Sequence, residues 1–502
     1  MSRFERWLRR FGPVTAGLIS ALVIWFTWGE LEPRPLNQDE MSYVLQAEIF
    51  ATGRWTAPSP PLPEFFEQPH VQVVPALASK YPPGHALVLT LGALVGFTPL
   101  LPLLLTGATA ALLFALVTRV TNPWVALVAW PTWLFAPGIL RFQPGYMSEL
   151  TSVPLVLASW WALLSWRETR RRRWLLTLAL CIGWGAITRP LTMLAIAIPI
   201  GIVVIRDVVR GRHWKDFGLA FALGTALLGI LPVWSAQTTG SWRVSPIQKY
   251  RLDYLPFDKI GFTPDSTPPR REYAMSKVLV ETYDFFMAAR TEQSVEALPL
   301  TILHRTLGNI TGLFKGERLL LLVLALAGLF YATPPMRFAL ASSLLLFAAY
   351  VPYAHWAGWT IYYLETVPVA AAFTGLGTWH LAQRVSRARS PMACTLMAAL
   401  IAVTGVPRAV EWRGYHRNNI FSAMNRELVK LLPKLPSPGI LFVHYSSQMP
   451  SNPAIVRNSA SLDAEPMWIV HDLGPRNTEL SAAAPDRATH VLDVERFAAS
   501  FR

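Results

Sequence analysis

The sequence predicts an all-α polytopic membrane protein with a small C-terminal α/β domain outside the bilayer. Three observations carry that expectation. Hydrophobic residues make up 52% of the 502 and charged residues only 15%, too little polar surface for a water-soluble chain of this length. The apolar residues come in runs long enough to cross a bilayer, and the basic residues behind the net charge of +14 cluster between those runs, as they do where charge orients membrane helices. After about residue 408 the pattern changes to short β-branched segments with turn residues between them.

Arg3, Arg6, Arg9 and Arg10 precede the first apolar run, and no small-x-small cleavage pattern follows it, so the run reads as an uncleaved span. Spans are expected over about 11–28, 100–118, 123–140, 149–166, 174–188, 191–206, 217–236, 319–333, 337–353, 361–381 and 391–407, about eleven in all. With the N-terminus cytoplasmic, Arg119, "RETRRRR" (167–173), "RDVVRGRHWK" (206–215), Arg337 and "QRVSRARS" (383–390) all fall on the cytoplasmic side. Counting "GHALVLTLGALVGF" (84–97) as a full span would reverse that agreement. It is therefore expected as a short interfacial or re-entrant helix.

The membrane domain is thus 1–407, with long outer loops at 29–99 and 237–318, and residues 408–502 form the extracytoplasmic domain. In the latter, "IFSAMNRELVKLLPKL" reads as an amphipathic helix, and "GILFVHY", "MWIVHDLG" and "THVLDVE" read as strands. No basic stripe or nucleic-acid-binding motif is present, which excludes nucleic acid as a partner. Cys181 and Cys394 both lie inside apolar runs, so neither a disulfide framework nor a thiolate metal site is expected. No P-loop, dinucleotide fingerprint, HExxH or GxSxG stands in a suitable context, and no cofactor is expected.

The candidate chemistry starts at "NQDE". Asn37 suits a helix N-cap, and Glu40 three residues on can return to the Asn37 backbone amide as a capping box. Asp39, in the first turn, is either a solvated helix-start acid or a general base for a hydroxyl proton. Lys80, before the paired prolines of "SKYPPGHALVL", is either a snorkelling lysine or a partner for lipid phosphate. His85 suits a structural or interfacial role. Glu149 and Arg189 lie at span ends on the same face as Asp39 and Lys80, and four such charges of mixed sign on one face suggest a cavity for an anionic ligand. "YAHWAGWTIYYLETVPVAA" adds His355, girdle aromatics and Glu365. The stretch 241–269, with Arg243, Lys249 and Arg251 among proline-rich turns, reads as an ordered lid.

In order and spacing, "NQDEMSYVLQAEIFATGRW", "KYPPGH", "MSELTSVPL", "ITRP" and "YYLETVPVAAAF" resemble the GT-C membrane glycosyltransferases, in the branch of the protein O-mannosyltransferases and the lipid A aminoarabinose transferases. The resemblance covers about residues 10–380 and not the C-terminal domain. It implies a GT-C fold and a sugar donor on a polyprenyl phosphate. Transfer would occur with inversion, on the extracytoplasmic face of a bacterial inner membrane, to a hydroxyl or amine of a lipid, glycan or protein acceptor. Asp39 matches the acid of the first outer loop and would be the catalytic base. Lys80 and Arg189 would neutralise the leaving phosphate, Glu149 would order the acceptor or the loop, and Glu40, Tyr81 and His85 complete the substrate-binding set. Tyr81 departs from the mannosyltransferase branch, where a histidine often precedes the paired prolines, and the departure leaves the acceptor unassigned. Some relatives use a divalent metal, but this chain shows no evident carboxylate cluster for one. A transporter or flippase of lipid-linked saccharides is the alternative, and a membrane scaffold a third reading. Charges gathered at span ends rather than mid-membrane favour the transferase.

Overall fold

The structure is a computed structural model and describes residues 3–30, 33–262, 265, 267–271, 277–445 and 455–500. Three residues of the expected lid, 263, 264 and 266, lie outside the described residues.

Helix α1 (Arg3–Trp28) leads into the first long loop, which holds α2 (Gln38–Ala51), a small antiparallel sheet of β1 (Ala57–Pro58), β2 (Val71–Gln72) and β3 (Ala76–Ser79) in the order β1-β3-β2, and α3 (Gly84–Leu94). The eleven residues of α3 are too few to cross a bilayer. Strands this short leave no alternation in the sequence, and the sheet was not anticipated. Helix α4 (Leu100–Val120) packs along α1. A Cβ on Gly17 of α1 would stand 2.8 Å from the Gly107 carbonyl oxygen of α4, so the close approach requires glycine.

Asn122 caps α5 (Pro123–Leu134) by accepting from the Trp124 and Val125 amides. The span expected at 123–140 is two helices, because Pro137 opens a second one, α6 (Pro137–Phe142), and Ala136 before it is extended. Helices α7 (Glu149–Thr169), α8 (Arg172–Ala186) and α9 (Pro190–Gly211) follow as an up-and-down run. The apolar stretch at 217–236 is divided at Gly229 into α10 (Trp214–Leu228) and α11 (Ile230–Thr239).

The second long loop is itself helical, with α12 (Pro246–Tyr254), α13 (Lys277–Thr291) and α14 (Leu298–Phe314). Then come α15 (Leu319–Leu329), α16 (Pro334–Tyr350), a 3-10 turn at Thr360–Thr366, α17 (Val367–Val385) and α18 (Ser390–Asn418). One apolar core joins α1, α4, α5, α7, α9, α15 and α17. By length and composition α1, α4, α9, the α10–α11 pair and α18 can each cross a membrane; the remaining expected spans fall on shorter or more polar helices. Leu18, Leu22, Ile198, Ile202, Phe221, Leu396 and Val403 face outward, a surface suited to hydrocarbon rather than water.

Helix α18 runs past 407 to Asn418, and Asn419 caps α19 (Ile420–Leu431) by accepting from the Ser422 amide. Strands β4 (Gly439–His444), β5 (Met467–His471) and β6 (Ala488–Asp493) form a parallel sheet in the order β5-β4-β6, with α20 (Asn477–Ala483) on the β5–β6 connection and α21 (Val494–Ala499) following β6. This domain sits on the first long loop. Phe65 and Phe66 enter an apolar cluster with Ile440, Phe442, Trp468 and Val470, and His471 Nε2 donates to the Glu67 carbonyl at 2.7 Å.

Candidate active site

Asn37 Oδ1 accepts from the Glu40 amide at 2.9 Å, the cap that starts α2. The Glu40 side chain departs from the expected box: its Oε2 accepts from the Leu36 amide at 2.9 Å, one residue earlier. It does so because the carboxyl turns inward, where it is 5% exposed and packs against Gly145. Burial raises the Glu40 pKa to about 7, against the opposing pull of backbone amides. Helix α2 is enclosed: Met41, Tyr43, Leu45, Ala47 and Ile49 are all buried, Tyr43 and Ala47 against Leu89 of α3 and Leu45 and Ile49 against the small sheet and Ala460.

Asp39 points the other way and keeps 34% of its side chain exposed. The Tyr81 hydroxyl donates to its Oδ1, and His70 Nε2 stands 3.6 Å from the same oxygen. His70 was not anticipated. It adopts φ +68°, a left-handed conformation that costs roughly 1 kcal/mol or more in a non-glycine residue. Three bonds hold it there: its amide donates to the Tyr250 hydroxyl at 2.9 Å, and its carbonyl accepts from the Lys80 amide at 3.0 Å and the Ser42 hydroxyl at 2.8 Å. Burial, reinforced by Lys80 and opposed by Asp39, lowers the His70 pKa to about 3, so the ring is neutral at physiological pH.

Lys80 follows β3 directly and is buried. Its Nζ lies over the rings of Tyr81 and Tyr250, at 5.2 and 4.8 Å, a cation–π arrangement that compensates part of its desolvation. Burial pulls its pKa below the ordinary lysine value, while Asp258 and Asp39 resist the fall. The Asp258 carboxyl is in turn raised by burial and drawn down by Lys80, Arg251 and Arg290. Among the described residues no carboxylate comes within ion-pair distance of Lys80 Nζ.

Tyr81 stacks on Tyr43 at 4.7 Å, and its carbonyl accepts from Trp234 Nε1 at 3.1 Å. His85 is enclosed beside Tyr43. Its Nε2 donates to the Tyr146 carbonyl and its Nδ1 accepts from the Thr151 hydroxyl, both at 2.8 Å. Both nitrogens are therefore committed to tying α3 to α7. Burial lowers the His85 pKa to about 4.

Arg189 precedes Pro190 at the start of α9 and is held between two buried carboxylates. It pairs with Glu149, the first residue of α7, and its Nε is 3.5 Å from Glu365 Oε1. The same Nε donates to Thr192 at 3.2 Å, the second terminal nitrogen reaches Tyr350 at 3.3 Å and the nitrogen that faces Glu149 reaches Ser148 at 3.5 Å, and Ser152 donates to Glu365 at 2.5 Å. The guanidinium expected to face a phosphate is thus engaged internally with two acids. Tyr43 lies within electrostatic reach of both Asp39 and Arg189. Tyr353 and Tyr362, 5.3 Å apart, complete the aromatic wall within electrostatic reach of Asp39.

The structure therefore gathers Asp39, Lys80, Tyr81, Glu149 and Arg189 around one group of tyrosines, with Glu40 and His85 inside the walls. His70, Tyr43, Tyr250 and Asp258 were missed. Tyr250 and Asp258 stood in the stretch read as a lid, and nothing local marks His70. Among the described residues no three of His, Cys, Asp and Glu form a metal set, and Glu149 and Glu365 converge on a guanidinium instead.

Residues 80–235 match the sequence family described as dolichyl-phosphate-mannose-protein mannosyltransferase, a segment that begins at Lys80 and includes Glu149 and Arg189. No curated protein matches the sequence. The fold is similar to that of ArnT from Cupriavidus metallidurans bound to undecaprenyl phosphate, with 14% identity, a TM-score of 0.53, and coverage of 97% of this chain and 91% of that one. The apo form of ArnT gives the same identity and TM-score. The archaeal oligosaccharyltransferase AglB from Archaeoglobus fulgidus, solved with an inhibitory peptide and a dolichol-phosphate, is 12% identical with a TM-score of 0.50, covering 88% of this chain and 63% of that one. This integral membrane protein thus has the fold of the GT-C membrane glycosyltransferases, and within it residues 80–235 are similar to the mannosyltransferase family.

Proposed function

We propose that the chain transfers a sugar from a polyprenyl phosphate to an acceptor hydroxyl or amine, with inversion at the anomeric carbon, on the face of the membrane that carries Asp39. That face is extracytoplasmic, and the membrane is a bacterial inner membrane. The observation that carries the reading is the Asp39 carboxylate, partly open, with both close partners on Oδ1. Oδ2 is then the atom that takes the acceptor proton as the new glycosidic bond forms. Neutral His70 and the Tyr81 hydroxyl fix its direction. Lys80, a buried cation over two aromatic rings, takes the negative charge that develops on the departing lipid phosphate. In a site poor in water such a charge is worth more than at a surface. Arg189 acts here with Glu149 and Glu365 as the brace of the aromatic wall, which presents stacking faces for sugar or prenyl carbon. ArnT and AglB, solved with lipid phosphates, support the donor class.

The test offers the purified protein a radiolabelled polyprenyl-phosphate sugar with hydroxyl and amine acceptors, and follows release of lipid phosphate. The parent transfers and Asp39→Asn does not. Transfer by Asp39→Asn at the parental rate would remove Asp39 from the mechanism, and a parent that releases no lipid phosphate from any donor would sink the enzyme reading.

A further inference from the structure

A second opening lies at the end of the bundle away from Asp39. A cleft of about 380 Å³ is bounded by the later halves of α4, α7 and α9 and by the first turns of α16 and α17. Its walls are apolar, including Leu116, Leu163, Phe338 and Val369, and among the described residues the charged ones that line it are Arg167 and Arg206. On α7 the lining extends from Leu157 to Arg167, about 15 Å of helix at 1.5 Å per residue. The cleft is thus an elongated apolar slot with guanidinium groups at one end.

Those arginines carry surplus charge. Arg167, Arg170 and Arg206 all converge on Asp207, at 3.0, 3.3 and 3.2 Å, so three guanidinium groups share a single carboxylate. Arg167 and Arg206 keep 45% and 47% of their side chains exposed and retain donors for another anion. The proposed transfer uses neither residue.

We infer that this cleft seats an anionic diacyl phospholipid from the leaflet on the basic side, with an acyl chain in the slot and its phosphate on Arg167 and Arg206. Charge complementarity selects this occupant. A zwitterionic headgroup would bring an ammonium against surplus arginine, and a headgroup without chains would leave the apolar slot unfilled. Basic pockets between membrane helices are suited to anionic headgroups on electrostatic grounds. The site is also remote from Lys80, since Glu149 and Arg167 stand at opposite ends of α7, about 27 Å apart along the helix.

The experiment takes the full chain in detergent and titrates phosphatidylglycerol or phosphatidylcholine of identical acyl chains, reading retained lipid by native mass spectrometry and the shift in Tm. Phosphatidylglycerol is expected to be held about tenfold more tightly. In the double variant Arg167→Gln, Arg206→Gln that preference disappears, whereas Arg167→Lys, Arg206→Lys retains most of it. Ala339→Trp, which fills the slot, lowers retention of both lipids while leaving the lipid-free Tm near the parental value. Equal retention of the two lipids by the parent overturns the proposal, as does an undiminished preference in the glutamine variant. Displacement of phosphatidylglycerol by undecaprenyl phosphate would make the slot a donor-tail site instead, and an equal Tm shift from glycerol phosphate alone would leave the acyl chain without a role.

Discussion

The hydroxyl of Tyr81 donates to Oδ1 of Asp39, and through that bond the residue next to Lys80 sets the direction of the carboxylate. If Asp39 is the base, Asp39→Asn lowers kcat by about 10²–10⁴-fold, the usual worth of a positioned base. Tyr81→Phe, which only frees the carboxylate to turn, lowers kcat by roughly tenfold with little change in donor KM, a positioning effect. Steady-state transfer with both substrates varied separates the two. A Tyr81→Phe enzyme with parental kcat would show that the bond orients nothing.

Lys80 gives the transfer its alkaline limit. Burial holds its pKa below the ordinary lysine value, so its charge, and with it neutralisation of the leaving phosphate, is lost as pH rises through that lowered value. Activity is expected to fall on the alkaline side. Asp258→Asn removes a carboxylate that holds the lysine pKa up and moves the descent to lower pH. Lys80→Gln costs about 10²-fold or more in kcat below that descent, and the deficit narrows above it, where the parent lysine is neutral too. A pH–rate profile of Asp258→Asn that superimposes on the parent's would contradict the coupling.

Arg189 is predicted to matter first for folding. Arg189→Leu leaves Glu149 and Glu365 buried without their shared cation, at a cost of about 3–5 kcal/mol, and adding Glu149→Gln and Glu365→Gln recovers part of it. Thermal unfolding in detergent checks both. A leucine variant that keeps its Tm but no longer binds donor would return Arg189 to the phosphate role read from the sequence.

Glu40 adds a pH dependence of stability. Its pKa is raised from 4.5 to about 7 in the folded protein, so the fold binds its proton more tightly than the unfolded chain does. The contribution is fully present below about pH 4.5 and is lost as pH rises through about 7, to an extent of up to about 3 kcal/mol. Glu40→Gln keeps an acceptor for the Leu36 amide and has no proton to lose. Between pH 5 and 8 its Tm is expected to fall less than the parent's. Parallel Tm curves for the two proteins would contradict this assignment.

The helical bundle was legible because apolar runs and arginine clusters are local signals. The strands of the C-terminal domain were found by the same means, at 439–445, 467–474 and 489–495. The breaks at Pro137 and Gly229 were readable in principle, but an apolar run counted by length conceals them. Asp39, Lys80, Glu149 and Arg189 stood out as charges at span ends. Their division of labour did not, because it depends on which side chain meets which: Arg189 between two acids, Lys80 over two rings, Glu40 turned inward. His70 had no local mark at all, since its importance comes from a left-handed backbone pinned by Tyr250, which is 180 residues away in the chain.

The seam between the C-terminal domain and the first long loop has a practical meaning. Phe65 and Phe66 are lodged in the C-terminal core and the Glu67 carbonyl is held by His471, a few residues before His70. The domain therefore works as a splint for the strip of backbone that aims His70 at Asp39. Anyone seeking a smaller catalyst cannot simply cut at Asn419. The two phenylalanines would be left bare and the strip unsupported, so a minimal version would need a substitute brace rather than a shorter chain.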